Sequence, residues 1–227
     1  MVKPFSCRTA GLLLPALTVL FAPRAALAAD PPTETAEPKA WENQKDTRRG
    51  GFTVGTMVGF GVASVVGFPN DAKKINRARY YTETGTRPGT TGGLWLGGAL
   101  TDWFTFGVGF NSGMMFATGD NKVTTGGSIF HLEAFPLFSL GGRYRDLGVM
   151  VDAGIGVATV VSKAAPDQTR VGGSGCSIIG GGVFWEGIRF WKIHGGPFLA
   201  GNYYFADTVR RPGIFLGWRM ALYATSP

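Results

Sequence analysis

Cysteine, histidine and charge are all scarce in this chain of 227 residues: two Cys, two His and 16% charged side chains. Each shortage excludes something. Cys7 precedes an apolar run that reads as a leader, so cleavage would leave Cys176 alone and no intramolecular disulfide could form. Cys176 has no basic neighbour in sequence to activate a thiol, so it reads as a small packed side chain. The two histidines offer no zinc spacing, and no P-loop, Gly-x-Gly-x-x-Gly or Gly-x-Ser-x-Gly is present. No catalytic residue, metal or cofactor is therefore expected. Long apolar runs are also missing. The stretch Ala10 to Ala22 is about a dozen residues, short of the 18 or more that cross a bilayer as a helix.

Lys3 and Arg8 precede that stretch, and Ala26-Leu27-Ala28 follows it, the pattern of a secretory signal peptide over 1–28 cleaved before Ala29. The formal charge of +7 is not a nucleic-acid signal, because Lys3, Arg8 and Arg24 lie in the leader and much of the rest falls in expected loops. Residues 29–50 are polar and Pro-rich, with Pro31, Pro32 and Pro38 among mixed charges. They read as a flexible periplasmic linker.

What the chain has in quantity is glycine (36 residues) and aromatics (13%), a balance that favours strands and turns over helices. Beyond Gly51 the apolar period is two. Phe52, Val54, Val58, Phe60 and Val62 alternate with Thr53, Gly55, Gly59, Gly61 and Ala63; Phe104, Phe106, Val108 and Phe110 alternate with Thr105, Gly107, Gly109 and Asn111. Val149, Val151, Ile155 and Val157 repeat the pattern, as do Ile214, Leu216, Trp218, Met220 and Leu222. With weaker segments near 92–100, 127–136, 176–186 and 190–204, eight strands are expected within a single domain over 51–227.

No Asp, Glu, Lys or Arg occupies the apolar parity of these segments, whereas the other parity carries Glu133, Asp152, Glu186, Lys192 and Arg219. A narrow barrel of eight strands has little interior, so the bulky parity is assigned to the outside and the Gly-rich parity to the lumen. Lipid would then contact the apolar face, where each Lys or Arg costs about 2–4 kcal/mol at midplane. Pro197, inside the seventh strand, removes a ladder donor and predicts a bulge near Gly195 to Pro197. Aromatics gather at the strand ends: Phe52, Trp103, Phe104, Phe138, Tyr144, Trp185 and Trp191 at one rim, Phe116, Tyr203 and Phe205 at the other.

The leader, the eight Gly-and-aromatic segments and the final stretch Gly213 to Tyr223 resemble the small eight-stranded outer-membrane β-barrels of the OmpA/OmpX type, over about 51–223. The resemblance implies an all-β, antiparallel up-and-down transmembrane barrel in a bacterial outer membrane. It further implies contact with outer-membrane lipid and lipopolysaccharide, insertion by the outer-membrane assembly machinery, and a monomeric state. The chain departs from the family after Tyr223, where Ala-Thr-Ser-Pro follows the aromatic residue that commonly ends such barrels.

Two groups of residues are candidate sites. His131, Glu133, Asp152, Glu186, His194 and Arg219 share the inward parity and are expected to form a polar network in the lumen, with Arg219 as its hub. Lys73, Lys74, Arg77, Arg79 and Arg87 make the first long loop basic, suited to lipopolysaccharide phosphates or an acidic partner. The expected role is structural, in envelope integrity, or interaction through the loops, without enzymatic activity. The glycine-lined lumen leaves a narrow passive pore as the alternative, and a lipid A acyl-modifying enzyme as a more distant one, Ser128 being on the wrong parity to join His131.

Overall fold

A computed structural model describes residues 48–116, 121–162, 170–172 and 175–224, so the leader, most of the linker and the chain's last three residues lie outside it. Eight long strands follow one another: β1 (Gly51–Ala63), β2 (Arg87–Thr101), β3 (Phe104–Met115), β4 (Asn121–Ala134), β5 (Leu147–Ser162), β6 (Cys176–Trp185), β7 (Ile193–Phe205) and β8 (Val209–Tyr223). Each pairs antiparallel with its neighbours in sequence, and β1 pairs with β8 from Thr53↔Tyr223 to Ala63↔Gly213. The sheet therefore closes on itself. Closure gives every strand two partners, which is how backbone amides are satisfied where no water can reach them.

Connections alternate between two ends. At one end lie the turn at Asp102–Trp103, a pair of 3-10 turns (Phe138–Leu140 and Gly142–Asp146), and a short strand, Ile188–Phe190, that folds back on β7. At the other lie loop one, which carries two short paired strands (Val66–Gly67 and Thr82–Glu83), a third loop with Arg170–Gly172 added to β5, and the tight hairpin between Phe205 and Arg210.

The faces fall as the alternation requires. Val58, Phe110, Phe130, Ile155 and Leu216 point out of the barrel and are exposed, Phe130 by 68%. Among the described residues the only charged side chains on the outward parity of the eight strands are Lys122 and Arg210, both at the loop end. An exterior of this kind is stable against acyl chains and not against water, so the barrel is transmembrane. Phe52, Trp103, Trp185 and Trp191 are exposed at the turn end, with Phe116 and Phe205 at the loop end, as interfacial girdles require. Phe138 is an exception, since it packs against the inner cluster.

Two expectations need correction. Strand β7 runs unbroken past Pro197 in constant register with β8, so it carries no bulge of its own. The irregularity sits across the ladder: β6 stops at Trp185, one residue drops out of register before Ile188↔Gly195, and the Glu186 amide donates to the Asp146 carbonyl instead (2.8 Å). The neighbour makes the detour, because it would otherwise offer an acceptor to a nitrogen with no proton. The linker also loses its last residues to the barrel: Arg49 is fully buried at the turn end, so 48–50 is not flexible tether. Five carboxylate or carbonyl acceptors on four residues hold its guanidinium and backbone there.

The lumen is not lined by small residues alone. Met57, Trp95, Phe135, Met150, Phe184 and Phe198 form one buried cluster inside the turn-end half, and Met115, Val123, Ile129, Ile178, Tyr204 and Phe215 belong to a second toward the loop end. Glycine makes this possible. A side chain at Gly55 would collide with the Trp95 indole, one at Gly148 with the Phe184 ring, and one at Gly217 would come within 2.8 Å of Phe198. These three glycines are thus the seats of inward aromatic rings rather than the walls of a channel.

Changing Val108 to Arg is expected to block insertion, at a cost of about 2–4 kcal/mol, while the same charge at exposed Ala72 in loop one is tolerated; refolding yield into vesicles, read as unboiled against boiled migration on gels, checks this. Gly55→Val is expected to destabilise the barrel through its clash with Trp95, and Trp95→Ala to recover part of the loss, as measured by urea unfolding midpoints in vesicles.

Candidate functional site

The six lumen residues singled out in the sequence come together, and the hub is Arg219. Arg219 projects inward from β8 with Nε 2.7 Å from Glu133 Oε1 and Nη2 2.6 Å from Glu133 Oε2, a bidentate fork. Its Nη1 donates to Glu186 Oε2. Two rings close over the guanidinium, Phe184 at 4.2 Å and Trp95 at 5.4 Å from its carbon.

From this hub the network runs in two directions. Toward the barrel middle, His131 places Nε2 2.9 Å from Glu133 and Nδ1 2.6 Å from Asp152, and its ring stacks on Trp95 with centroids 4.3 Å apart. Carboxylates only accept, so an imidazolium donating from both nitrogens satisfies both. Thr105 donates to the remaining Glu133 oxygen (2.8 Å). His131 and Glu133 sit two apart on β4, which puts both on the lumen face, and Asp152 lies directly opposite His131 on β5.

Toward the turn end, Glu186 collects Tyr223 Oη (2.9 Å), His194 Nδ1 (3.0 Å) and Arg49 Nε (3.0 Å). Glu186 can reach inward because the irregularity opposite Pro197 frees it from the β-ladder. Arg49 then spans the floor of the barrel. It donates to the Asp102 carbonyl (2.9 Å), the Arg145 carbonyl (3.3 Å) and Asp146 Oδ1 (3.3 Å), and its guanidinium carbon lies 3.5 Å from the Phe135 ring centroid. Arg48 and Arg189 also meet Asp146, at 2.9 Å and 2.7 Å. Partial burial pushes the Asp146 carboxyl above its ordinary range against the lowering pull of Arg48 and Arg49.

Three members of this arrangement are not visible from strand periodicity. Arg49 lies in a polar stretch with no apolar pattern, Asp146 in a turn, and Tyr223 at a strand end with an apolar signal. Lys192 keeps the inward parity, its carbonyl accepting from the Tyr223 amide (3.1 Å), but it lies in the turn before β7 and outside the network, with Nζ donating to the Ala224 carbonyl (2.8 Å).

Loop one divides its basic residues. Lys73, Arg77 and Arg79 are exposed, Arg79 lying 4.7 Å from the Tyr80 ring centroid. Lys74 is half-exposed and pairs with Asp71 (3.5 Å), and Arg87 donates to the Thr84 carbonyl (3.1 Å) at the barrel wall.

Replacing Arg219 by Met is expected to cost about 3–5 kcal/mol, because it leaves Glu133 and Glu186 buried without their shared cation. Adding Glu133→Gln should recover part of that loss, and urea titration of the vesicle-embedded protein checks both.

No family model matches the chain, and no curated protein matches it. Among solved structures it is similar to Ail, the attachment invasion locus protein of Yersinia pestis (11% identity, 74% of this chain and 98% of that one, TM-score 0.44). It is also similar to Neisserial surface protein A (12% identity, 76% and 97%, TM-score 0.45) and to the outer membrane protein OprG from Pseudomonas aeruginosa (10% identity, 79% and 99%, TM-score 0.39). The architecture itself is a closed eight-stranded antiparallel up-and-down transmembrane barrel with an apolar exterior and a lumen whose turn-end half is filled by charged and aromatic side chains.

Proposed function

We propose that this protein is a bacterial outer-membrane barrel that neither conducts nor catalyses, and that its work is done by the loops, above all by binding lipopolysaccharide phosphates with loop one. The signal-peptide pattern supplies the export route, and the outer-membrane assembly machinery inserts the chain as a monomer. One observation carries the reading: the ion network and the aromatic cluster occupy the turn-end half of the lumen wall to wall, with Trp95, Phe135, Phe184, Phe198, Arg49 and Arg219 all at 2% exposure or less. A rigid, filled barrel is a good anchor and a poor conduit.

Burial also argues against chemistry at the histidines. His131 and His194 are inaccessible and engaged by carboxylates, and the two hydroxyls in the network, Thr105 Oγ1 and Tyr223 Oη, donate to Glu133 and Glu186. Loop one, by contrast, leaves Lys73, Arg77 and Arg79 exposed, a cationic surface suited to phosphate groups.

In planar bilayers the purified protein is expected to give no discrete conductance steps; steady unitary currents would overturn the filled-lumen reading in favour of a pore. Vesicles containing lipopolysaccharide should bind the refolded protein's loop face, and Lys73→Ala/Arg77→Ala/Arg79→Ala should weaken that binding by about tenfold or more at low salt. Unchanged binding would remove loop one from the proposal, and lipid A masses that differ with and without the gene would point to the acyl-modifying enzyme instead.

A further inference from the structure

On the outward face of β6, β7 and β8 the cross-strand rows change character with distance from the loop end. Ser177, Phe205 and Arg210 are neighbours in the first row, and Ile179, Tyr203 and Pro212 in the second. In the third, Gly181 and Gly201 are followed by Ile214 and by Val62 of β1. A cation at the rim thus stands above rings, and the rings stand above glycine.

Two hollows follow from this order of sizes. The lower, of about 490 Å³, lies over Gly201 between Val62, Ile179, Pro212 and Ile214. The upper, of about 620 Å³, lies at the rim, where Asn70 of loop one and Asp207 of the β7–β8 hairpin meet Phe205 and Arg210. Tyr203 lines both, so the two adjoin there. Val62, Ile179, Ile214 and Arg210 are exposed, so both hollows open to the outside of the wall and not to the lumen.

The lower hollow is apolar and has room at its floor, since a Cβ on Gly201 would meet nothing nearer than the Gly213 carbonyl oxygen at 3.5 Å. Facing a bilayer, such a groove suits an acyl chain. The upper hollow is chemically mixed. Tyr203 and Phe205 stack with centroids 5.3 Å apart and form an aromatic wall. The side chains of Asn70, Asp207 and Arg210 make no hydrogen bond or ion pair among the described residues. A guanidinium suits a phosphate, a carboxylate and an amide oxygen accept from hydroxyls, and an aromatic wall packs against the C–H face of a sugar ring. A phosphoethanolamine headgroup has no ring to lay on that wall.

We propose that this face holds one phosphorylated glycolipid of the outer leaflet, with an acyl chain over Gly201 and the sugar headgroup in the rim hollow, its phosphate on Arg210. The site rests on the outer-membrane location proposed above. It makes no use of Lys73, Arg77 or Arg79, so it stands or falls separately from binding by those three cations.

Native mass spectrometry of the refolded protein released from detergent micelles, titrated with hexaacyl lipid A, tests it. One lipid A per barrel is expected to bind first. Gly201→Leu, which fills the groove from outside, and Arg210→Gln should each weaken that first adduct about tenfold while keeping the unboiled gel mobility of a folded barrel. Lys73→Ala/Arg77→Ala/Arg79→Ala should leave it in place. Undiminished binding in Gly201→Leu or Arg210→Gln, equal binding of phosphatidylethanolamine, or loss of the adduct in the loop-one variant would overturn the proposal. A protein dimer that Gly201→Leu disperses would overturn it too, by giving the face to a second copy of the chain.

Discussion

A bilayer offers no water to the outer face of the barrel wall, and the ring cluster excludes it from the turn-end lumen, so each charge that strand parity turns inward there must find its partner inside. Arg219 is where that constraint is met. Its fork on Glu133 and its third nitrogen on Glu186 join a carboxylate from β4 to one beyond the end of β6, across a lumen whose other occupants are rings. His131 extends the chain of contacts to Asp152 on β5, and Arg49 extends it to the turns at Asp102 and Asp146. Strands β4, β5 and β8, the residue beyond β6, the stretch before β1 and the turns at Asp102 and Asp146 are thereby tied together at one end of the molecule.

The same end is packed by exchange of volume between strands. Trp95, Phe184 and Phe198 lie over Gly55, Gly148 and Gly217, so each ring takes the space that a neighbouring strand leaves empty. Ion network and rings are mutually dependent, since Phe184 and Trp95 cover the Arg219 guanidinium and Phe135 covers that of Arg49. Exclusion of water from these pairs strengthens them and fills the bore at once. The loop-end half is organised differently, with an apolar cluster in place of a network and Arg211 held by the Asn202 amide oxygen and the rings of Tyr204 and Phe215, with no carboxylate partner among the described residues.

Much of this was legible in the sequence because strand periodicity is a one-dimensional record of a two-sided wall. Alternation named the eight strands, and the absence of charge from one parity named the lipid face. It also put His131, Glu133, Asp152, His194 and Arg219 in one lumen, since residues of a single parity in a closed narrow sheet have nowhere else to meet. Where the alternation breaks, that legibility ends, as it does for the displaced irregularity opposite Pro197.

The chain by itself determined the strand count, the faces and which of them carries charge, because these depend only on which side of the backbone a residue occupies. Whether the lumen was open or filled was decided by the tertiary structure alone. That outcome depends on which glycine stands beside which ring across the ladder, and on a polar Arg49 folding back under the floor. Both are matters of register and distance between strands remote in sequence, and no period along the chain records them.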